Sequence, residues 1–179
     1  MTSEQTKEPT EAFFRDRSHF GLRAEDVHIF EQQTLPCFSM DGKILLETKH
    51  GVARAPDGNG GLYDALRDCQ ILQDMRRRGI EYVHVYGVDN ILVKIADPTF
   101  VGYCVKKGAE AGAKVVEKSQ PSEAVGIICK VRGEFQVVEY SEITPEVAEA
   151  RNADRRLTFN AGSICNHFFT VGFLESVSK

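Results

Sequence analysis

The stretch Tyr82-Val83-His84-Val85-Tyr86-Gly87-Val88-Asp89-Asn90 decides how the chain is read. β-Branched and aromatic residues run from Tyr82 to Val88 and stop at Asp89-Asn90, the pattern of a buried strand ending in a turn. Asp97-Pro98 then opens a helix, with a capping carboxylate followed by a proline at the first helical position. The same alternation extends both ways. Upstream, Leu62, Ala65, Leu66, Cys69, Leu72 and Met75 recur at helical spacing, so one helix is predicted from Leu62 to Met75. Arg76-Arg77-Arg78 sits at its negative dipole end and Gly79 stops it; the arginine run reads as a solvated last turn rather than an anion site. Downstream, Ala113–Glu117 reads as a strand, and Ile127–Val131 with Phe135–Tyr140 as a hairpin around Arg132-Gly133. Thr144-Pro145 starts a short helix, Leu157–Thr170 contains another strand, and Phe173–Val177 is a last amphipathic turn or two before Lys179. The prediction is an α/β domain with helices covering a mainly parallel sheet.

Toward the N-terminus, Thr10 is expected to cap a short helix that carries Phe13, Phe14 and Phe20 inward, and Val27–Gln32 to form a buried strand. Asp41-Gly42, between Cys37–Met40 and Lys43–Leu46, predicts a hairpin closed by a type I′ turn. No Ser/Gly linker, low-complexity tract or solenoid-period repeat interrupts the 179 residues.

Composition narrows the classes. The chain is 42% hydrophobic and 27% charged, and its apolar runs are cut within a few residues by Lys, Asp or Glu, which excludes a bilayer-spanning helix. With 26 acidic against 22 basic residues the net charge is −4, the wrong balance for a nucleic-acid polymer. Cys37, Cys69, Cys104, Cys129 and Cys165 form neither a zinc spacing nor a compact disulfide framework, and are expected to be reduced, mostly buried thiols of a cytoplasmic protein. The polar N-terminus, Met1 to Pro9, lacks the apolar core of a secretory signal.

Three places can carry chemistry. Ala55-Pro56-Asp57-Gly58-Asn59-Gly60-Gly61 stands directly before the predicted helix, where glycines let backbone approach a flat or anionic ligand and the helix start offers N–H groups. A plain capped turn uses the same residues, and neither a Walker nor a Rossmann spacing is present. Gly87-Val88-Asp89-Asn90 lies at the carboxyl end of a strand, where open α/β sheets bind ligands, and a carboxylate there suits Mg²⁺ beside phosphate oxygens; an Asp that merely shapes its own turn is the alternative. In strict alternation Glu139 shares a face with Phe135 and Val137, so its carboxylate points along an apolar surface and needs a partner, either the hydroxyls of a sugar or a structural Arg or Lys. The five histidines and the Cys165/His167 pair complete no metal set, and no nucleophile elbow is present.

Beyond single motifs, several blocks stand in a fixed order. They are Ala55–Gly61, Tyr86-Gly87-Val88-Asp89-Asn90-Ile91-Leu92-Val93-Lys94, Val115-Val116-Glu117-Lys118, Val137-Val138-Glu139-Tyr140-Ser141-Glu142, Phe159-Asn160-Ala161-Gly162 and Asn166-His167-Phe168-Phe169-Thr170. Together they closely resemble the eukaryotic UDP-N-acetylhexosamine pyrophosphorylases over nearly the whole chain. The resemblance implies a nucleotide-diphospho-sugar transferase fold, Rossmann-like, with a mixed sheet and flanking helices, incomplete in this chain. It implies transfer of uridylyl from UTP to N-acetylglucosamine 1-phosphate or its galactosamine epimer, with release of pyrophosphate and Mg²⁺ as cofactor. A uridylyltransferase for another sugar 1-phosphate, and a non-catalytic nucleotide-sugar-binding or regulatory form, are the alternatives.

Carried over residue by residue, Gln32 resembles the reader of the uracil edge and Gly58 a backbone contact to the same base. Asp89 resembles the carboxylate near nucleotide and metal. Asn59, Gly126, Glu139, Asn160 and Ser163 fall at sugar-side positions, with Glu139 accepting from the sugar hydroxyls. The family commonly carries Asn at position 163; Ser163 is a shorter donor that reaches a sugar through water. The family's glycine-rich L-x-x-G-x-G-T-R-L-G loop, Pro-Lys pair and late lysine do not occur in this sequence. The resemblance therefore implies a partial catalytic domain over residues 1–179, inactive or nearly so alone, and leaves room for a homo-oligomer of the full-length enzyme.

Overall fold

The structure is a computed structural model that describes residues 1–178; Lys179, the expected end of the last helix, lies outside the described residues. The chain forms two compact units, residues 1–80 with 174–178, and residues 81–173.

In the first unit, helix α1 (Glu4–Asp16) begins earlier than Thr10 predicted. Ser3 is the N-cap in a capping box with Thr6, and the Thr10 hydroxyl instead donates to the Thr6 carbonyl within the helix. Phe13, Phe14 and Phe20 cluster on one another, with ring centroids 5.3 to 6.5 Å apart, but Phe13 and Phe20 stay exposed rather than turning inward. The predicted strand Val27–Gln32 is not one: only Glu31 joins a bridge, parallel, to Thr2. Regular pairing begins at β1 (Thr34–Pro36), antiparallel to β4 (Arg54–Pro56), beside a two-stranded ribbon of β2 (Leu46–Thr48) and β3 (Gly51–Val52). The hairpin at Asp41-Gly42 forms, with Phe38 opposite Ile44, but not through a type I′ turn. Only Gly42 takes a positive φ (81°), Gly42 N–H donates to Ser39 O, and Ser39 N–H to Lys43 O, which is a three-residue loop with a glycine bulge.

The helix predicted from Leu62 to Met75 is two, α2 (Gly61–Asp68) and α3 (Ile71–Arg77), parted at Gln70 in the left-handed region (φ 58°). The break turns Cys69 outward and lets Leu72 join Ala65 and Leu66 in the buried set. The arginines after it are paired as a last turn should be: Arg76 bidentate to Glu175 (2.7 and 2.8 Å), Arg77 to Asp74, and Arg78 to Asp26.

The second unit is a five-stranded sheet of β5 (Tyr82–Tyr86), β6 (Ala111–Glu117), β7 (Ile127–Val131), β8 (Glu134–Val138) and β9 (Ala161–Thr170). The expectation of mainly parallel pairing is overturned: every pair in this sheet is antiparallel, although β5, β6 and β7 run the same way. The reason is β9. Residues 167–169 face β5 on one side and β6 on the other, while Gly162 faces Val116 of β6 and Ile127 of β7. The strand is thus inserted between β6 and the line of β5 and β7, separating strands that run the same way. Close approach there demands glycine, since a Cβ on Gly162 would stand 3.1 Å from the Val116 carbonyl oxygen and 3.2 Å from Val125. The β7–β8 hairpin turns at Arg132 and Gly133, both at positive φ, as its sequence predicts.

Helix α4 (Pro98–Lys106) is capped by Asp97, whose carboxylate accepts from Thr99 N–H. Its Cys104 lies against Gly112 of β6, where a Cβ would meet the sulfur at 2.9 Å. Helix α5 (Pro145–Glu149) starts at Thr144-Pro145 as expected, and α6 (Val171–Val177) continues directly from β9. Phe168, Phe169, Ile127, Leu157 and Cys104 are buried in this unit.

Phe168→Ala, which empties a fully buried site, is expected to lower unfolding free energy by about 3–5 kcal/mol, whereas Phe135→Ala at an exposed position stays within about 0.5 kcal/mol, both read by urea denaturation. Burial, and then the nearby His84, hold the His167 imidazole below the ordinary histidine range. The unfolded chain therefore binds that proton at a higher pH than the folded one, so stability should fall as pH drops below about 6.5 and level off below the folded value. Chemical denaturation of His167→Gln across this window should show a flatter slope.

Candidate functional site

The sequence-predicted residues divide between the units. Gln32, Gly58 and Asn59 belong to the first; Asp89, Gly126, Glu139, Asn160 and Ser163 belong to the second.

In the first unit, Gln32 and Gly58 are brought into contact. The pairing of β1 with β4 aligns Thr34 with Pro56, and one step beyond it Asp57 N–H donates to Gln33 O (3.0 Å). This places Gly58 N–H on Gln32 Oε1 at 2.7 Å, a half-buried amide held against an exposed backbone turn. Gly58 has φ 91°, a conformation that favours glycine. Gly61 packs closely as well, for a Cβ there would lie 3.0 Å from Asp57 Oδ2. The helix start offers less than the sequence suggested. Gly61, Leu62 and Tyr63 N–H already donate to Gly58, Asn59 and Gly60 carbonyls at 3.1, 3.2 and 3.4 Å. What the loop presents is therefore the Gln32 amide edge and the Gly58–Asn59 backbone, not a nest of unsatisfied amides.

In the second unit, the site gathers along one edge of β9. Gly87 N–H donates to Cys165 O (3.2 Å) where β5 leaves the sheet, and Ser163 N–H donates to Gly126 O (2.8 Å) where β7 joins it. The ends of β5 and β7 thus meet the same strand two residues apart. Asp89 follows the first junction in a turn closed by Asn90 N–H on Gly87 O, and its carboxylate folds back so closely that a Cβ on Gly87 would be 2.7 Å from Oδ1. At the second junction a Cβ on Gly126 would stand 3.2 Å from Val138 O and 3.4 Å from Glu139 Oε2. Gly126 is thus the floor on which the Glu139 carboxylate rests, just past the end of β8. The Asn160 carbonyl, immediately before β9, accepts from Lys118 (2.8 Å) and Gly162 (3.0 Å).

At the first junction lies Cys165, which the sequence reading did not single out as a site residue. It is half-buried at φ 52°, and its thiol is pushed upward first by burial, then by the negative charges of Asp89 and Glu139. Its only sequence signal was position, one residue before the Asn166–Thr170 block. No disulfide joins the described cysteines, but they are less buried than expected: Cys69 is exposed and only Cys104 is fully buried.

Among the described residues no group of three or more His, Cys, Asp or Glu is placed to hold a metal. Asp89, a single exposed carboxylate, fits a Mg²⁺ that takes its other ligands from phosphate and water, and does not fit a site built wholly of protein donors. No helix among the described residues is long and apolar enough to cross a membrane.

The sheet with its flanking helices matches solved UDP-sugar pyrophosphorylases, which sets the class: part of a nucleotide-diphospho-sugar transferase fold. A crystal structure of the UDP-N-acetylglucosamine pyrophosphorylase from Trypanosoma brucei, in complex with an inhibitor, matches 97% of this chain and 35% of its own, with TM-score 0.87 and 34% identity. A UDP-glucose pyrophosphorylase variant from Leishmania major shares the fold at 18% identity, TM-score 0.73, over 97% of this chain and 39% of its own. The chain belongs to the UTP--glucose-1-phosphate uridylyltransferase family, whose model matches residues 1–179. It is 60% identical to the UDP-N-acetylhexosamine pyrophosphorylase-like protein 1 of Homo sapiens over 179 residues, and 48% identical to the UDP-N-acetylglucosamine diphosphorylase 2 of Arabidopsis thaliana over 182, covering 100% of this chain in each case. The chain spans 35% and 36% of the length of those relatives.

Alkylation with iodoacetamide near neutral pH should label Cys69 first and Cys104 and Cys165 last, because burial raises both of the latter thiols. Peptide mass spectrometry at timed intervals reads the order, and Cys165 labelling as fast as Cys69 would contradict it.

Proposed function

We propose that the chain forms part of a UDP-N-acetylglucosamine diphosphorylase, which transfers uridylyl from UTP to N-acetylhexosamine 1-phosphate. A phosphate oxygen of the sugar phosphate attacks the α-phosphorus in line, the bond from that phosphorus to the bridging oxygen breaks, and pyrophosphate leaves carrying the displaced electron pair. No covalent intermediate on the protein is needed. The protein's task is alignment and compensation of charge.

The observation that carries this reading is the gathering of Asp89, Gly126, Glu139 and Ser163 on one edge of β9, in a chain of this family. Gln32, with its amide edge beside Gly58, is assigned to the uracil, where an amide supplies both a donor and an acceptor. Asp89 is assigned to the nucleotide phosphates through Mg²⁺, which when bound offsets phosphate charge. Glu139, seated on Gly126, accepts from adjacent sugar hydroxyls, and Asn59, Asn160 and Ser163 are assigned to the sugar side. The thiols without disulfides suit a cytoplasmic enzyme.

Glucose 1-phosphate is the rival acceptor; Ser163, whose hydroxyl is shorter than an amide, reaches an acetamido group through water. Calorimetric titration with UDP-N-acetylglucosamine should give saturable heat, and Glu139→Ala should weaken binding roughly tenfold or more, the loss of a hydrogen bond to a charged acceptor. Equal affinity in the variant would remove Glu139 from the site. Stronger competition by glucose 1-phosphate than by N-acetylglucosamine 1-phosphate would transfer the assignment to the rival.

A further inference from the structure

The segment Gly87–Ala96, which carries Asp89, is held in an unusual way. Most of its aliphatic side chains are exposed: Val88, Ile91 and Leu92 are 93%, 90% and 86% exposed and Ile95 67%, with Val93 alone half-buried. Its interior hydrogen bonds are all local, from Asn90 to Gly87, Ile91 to Asp89, Val93 to Asn90, and Leu92 N–H to Asn90 Oδ1. Such bonds shape a loop without fixing where it points. Apart from the half-buried Val93, its placement rests on its two feet.

One foot is Gly87 on Cys165. The other is Ala96, which adopts φ 49°, a region that residues with a Cβ avoid, and whose N–H donates to His84 Nδ1 at 3.0 Å. The imidazole is prepared for this. His84 Nε2 lies 2.9 Å from Oδ1 of the buried Asn166, an acceptor that places the ring proton on Nε2 and leaves Nδ1 as a lone pair. Phe100 meets the ring edge-on at 6.0 Å and Tyr86 packs beside it at 5.4 Å, fixing its orientation. The next residue, Asp97, is anchored without His84: it pairs with Lys114 (2.6 Å) and caps α4. The specific task left to His84 is the Ala96 amide.

We propose that His84 is a positioning residue, which holds Ala96 through Nδ1 and thereby fixes the Gly87–Ala96 loop and its Asp89 for nucleotide binding. This rests on the assignment of Asp89 to the nucleotide. The helix itself does not depend on the contact, so the effect of losing it is confined to the loop.

The amide side chain of asparagine places an acceptor near the Nδ1 position of histidine, and that of glutamine near Nε2, so two variants separate the roles. Residue-resolved amide exchange should show Ala96 exchanging roughly tenfold faster in His84→Gln and regaining protection in His84→Asn, with the β5 and β9 ladders unchanged in both. Affinity for Mg²⁺–UTP should fall in the glutamine variant and recover in the asparagine variant. Equal Ala96 exchange or equal UTP affinity in the unaltered and glutamine chains overturns the proposal, as does general loss of ladder protection. If both variants fail to fold, the unaltered chain still decides: a ¹⁵N–¹⁵N coupling through the hydrogen bond from Ala96 to His84 Nδ1 is expected, and its absence overturns the proposal. If Mg²⁺–UTP does not bind the unaltered chain, the nucleotide assignment of Asp89 fails, while exchange at Ala96 still tests the hold on the loop.

Discussion

The second unit depends on one strand being shared. β9 donates and accepts along both edges, to β6 on one side and to β5 and β7 in succession on the other. Because β5 ends at Tyr86 and β7 begins at Ile127, the strand pairing on this edge lapses opposite residues 163–165, and the candidate site groups lie there. The left-handed turn of Cys165 marks that lapse. Any change that shifted the register of β9 by one residue would exchange its two faces and carry the buried Asn166 and Phe168 to the opposite side of the sheet.

Steric demands explain why glycine recurs where side chains of the site come to rest. Gly87 yields space to the Asp89 carboxylate, Gly126 to Glu139, and Gly162 to the neighbouring strand, with missing Cβ distances of 2.7 to 3.4 Å. In the first unit the reason differs between neighbours. Gly58 is set by its positive φ, and Gly61 packs closely on the Asp57 carboxylate. The glycine-rich stretch therefore serves two purposes, a turn that shows backbone to Gln32 and a close approach that starts a helix.

Polar burial is handled economically around the same strand. Asn166 accepts from His84, which in turn accepts from Ala96, so a buried amide on β9 is linked through one ring to the far foot of an exposed loop. The Lys114–Asp97 pair, with Lys114 also over the Phe100 ring at 5.2 Å, stiffens the adjoining helix start. Structure near the sheet is over-determined, while the exposed middle of the loop has only its own hydrogen bonds.

Local chemistry was legible in the sequence wherever a residue type leaves little choice. Asp97-Pro98 and Thr144-Pro145 start helices, Arg132-Gly133 turns a hairpin, and the Asp89, Gly126 and Glu139 blocks supply the candidate site. Periodicity misled where packing competes with it: the apolar spacing from Leu62 to Met75 is compatible with one helix, yet a left-handed Gln70 breaks it and turns Cys69 outward. Alternation of strands and helices likewise could not reveal that β9 would insert between strands running the same way, since pairing partners lie far apart in the chain. By itself the sequence determined the residue types of the site, the caps and the turns, because these follow from backbone preference within a few residues. Tertiary structure alone decided the antiparallel order of the sheet, the seat of Glu139 on Gly126, and the placing of Cys165 and His84, because each depends on hydrogen bonds and excluded volume between segments tens of residues apart.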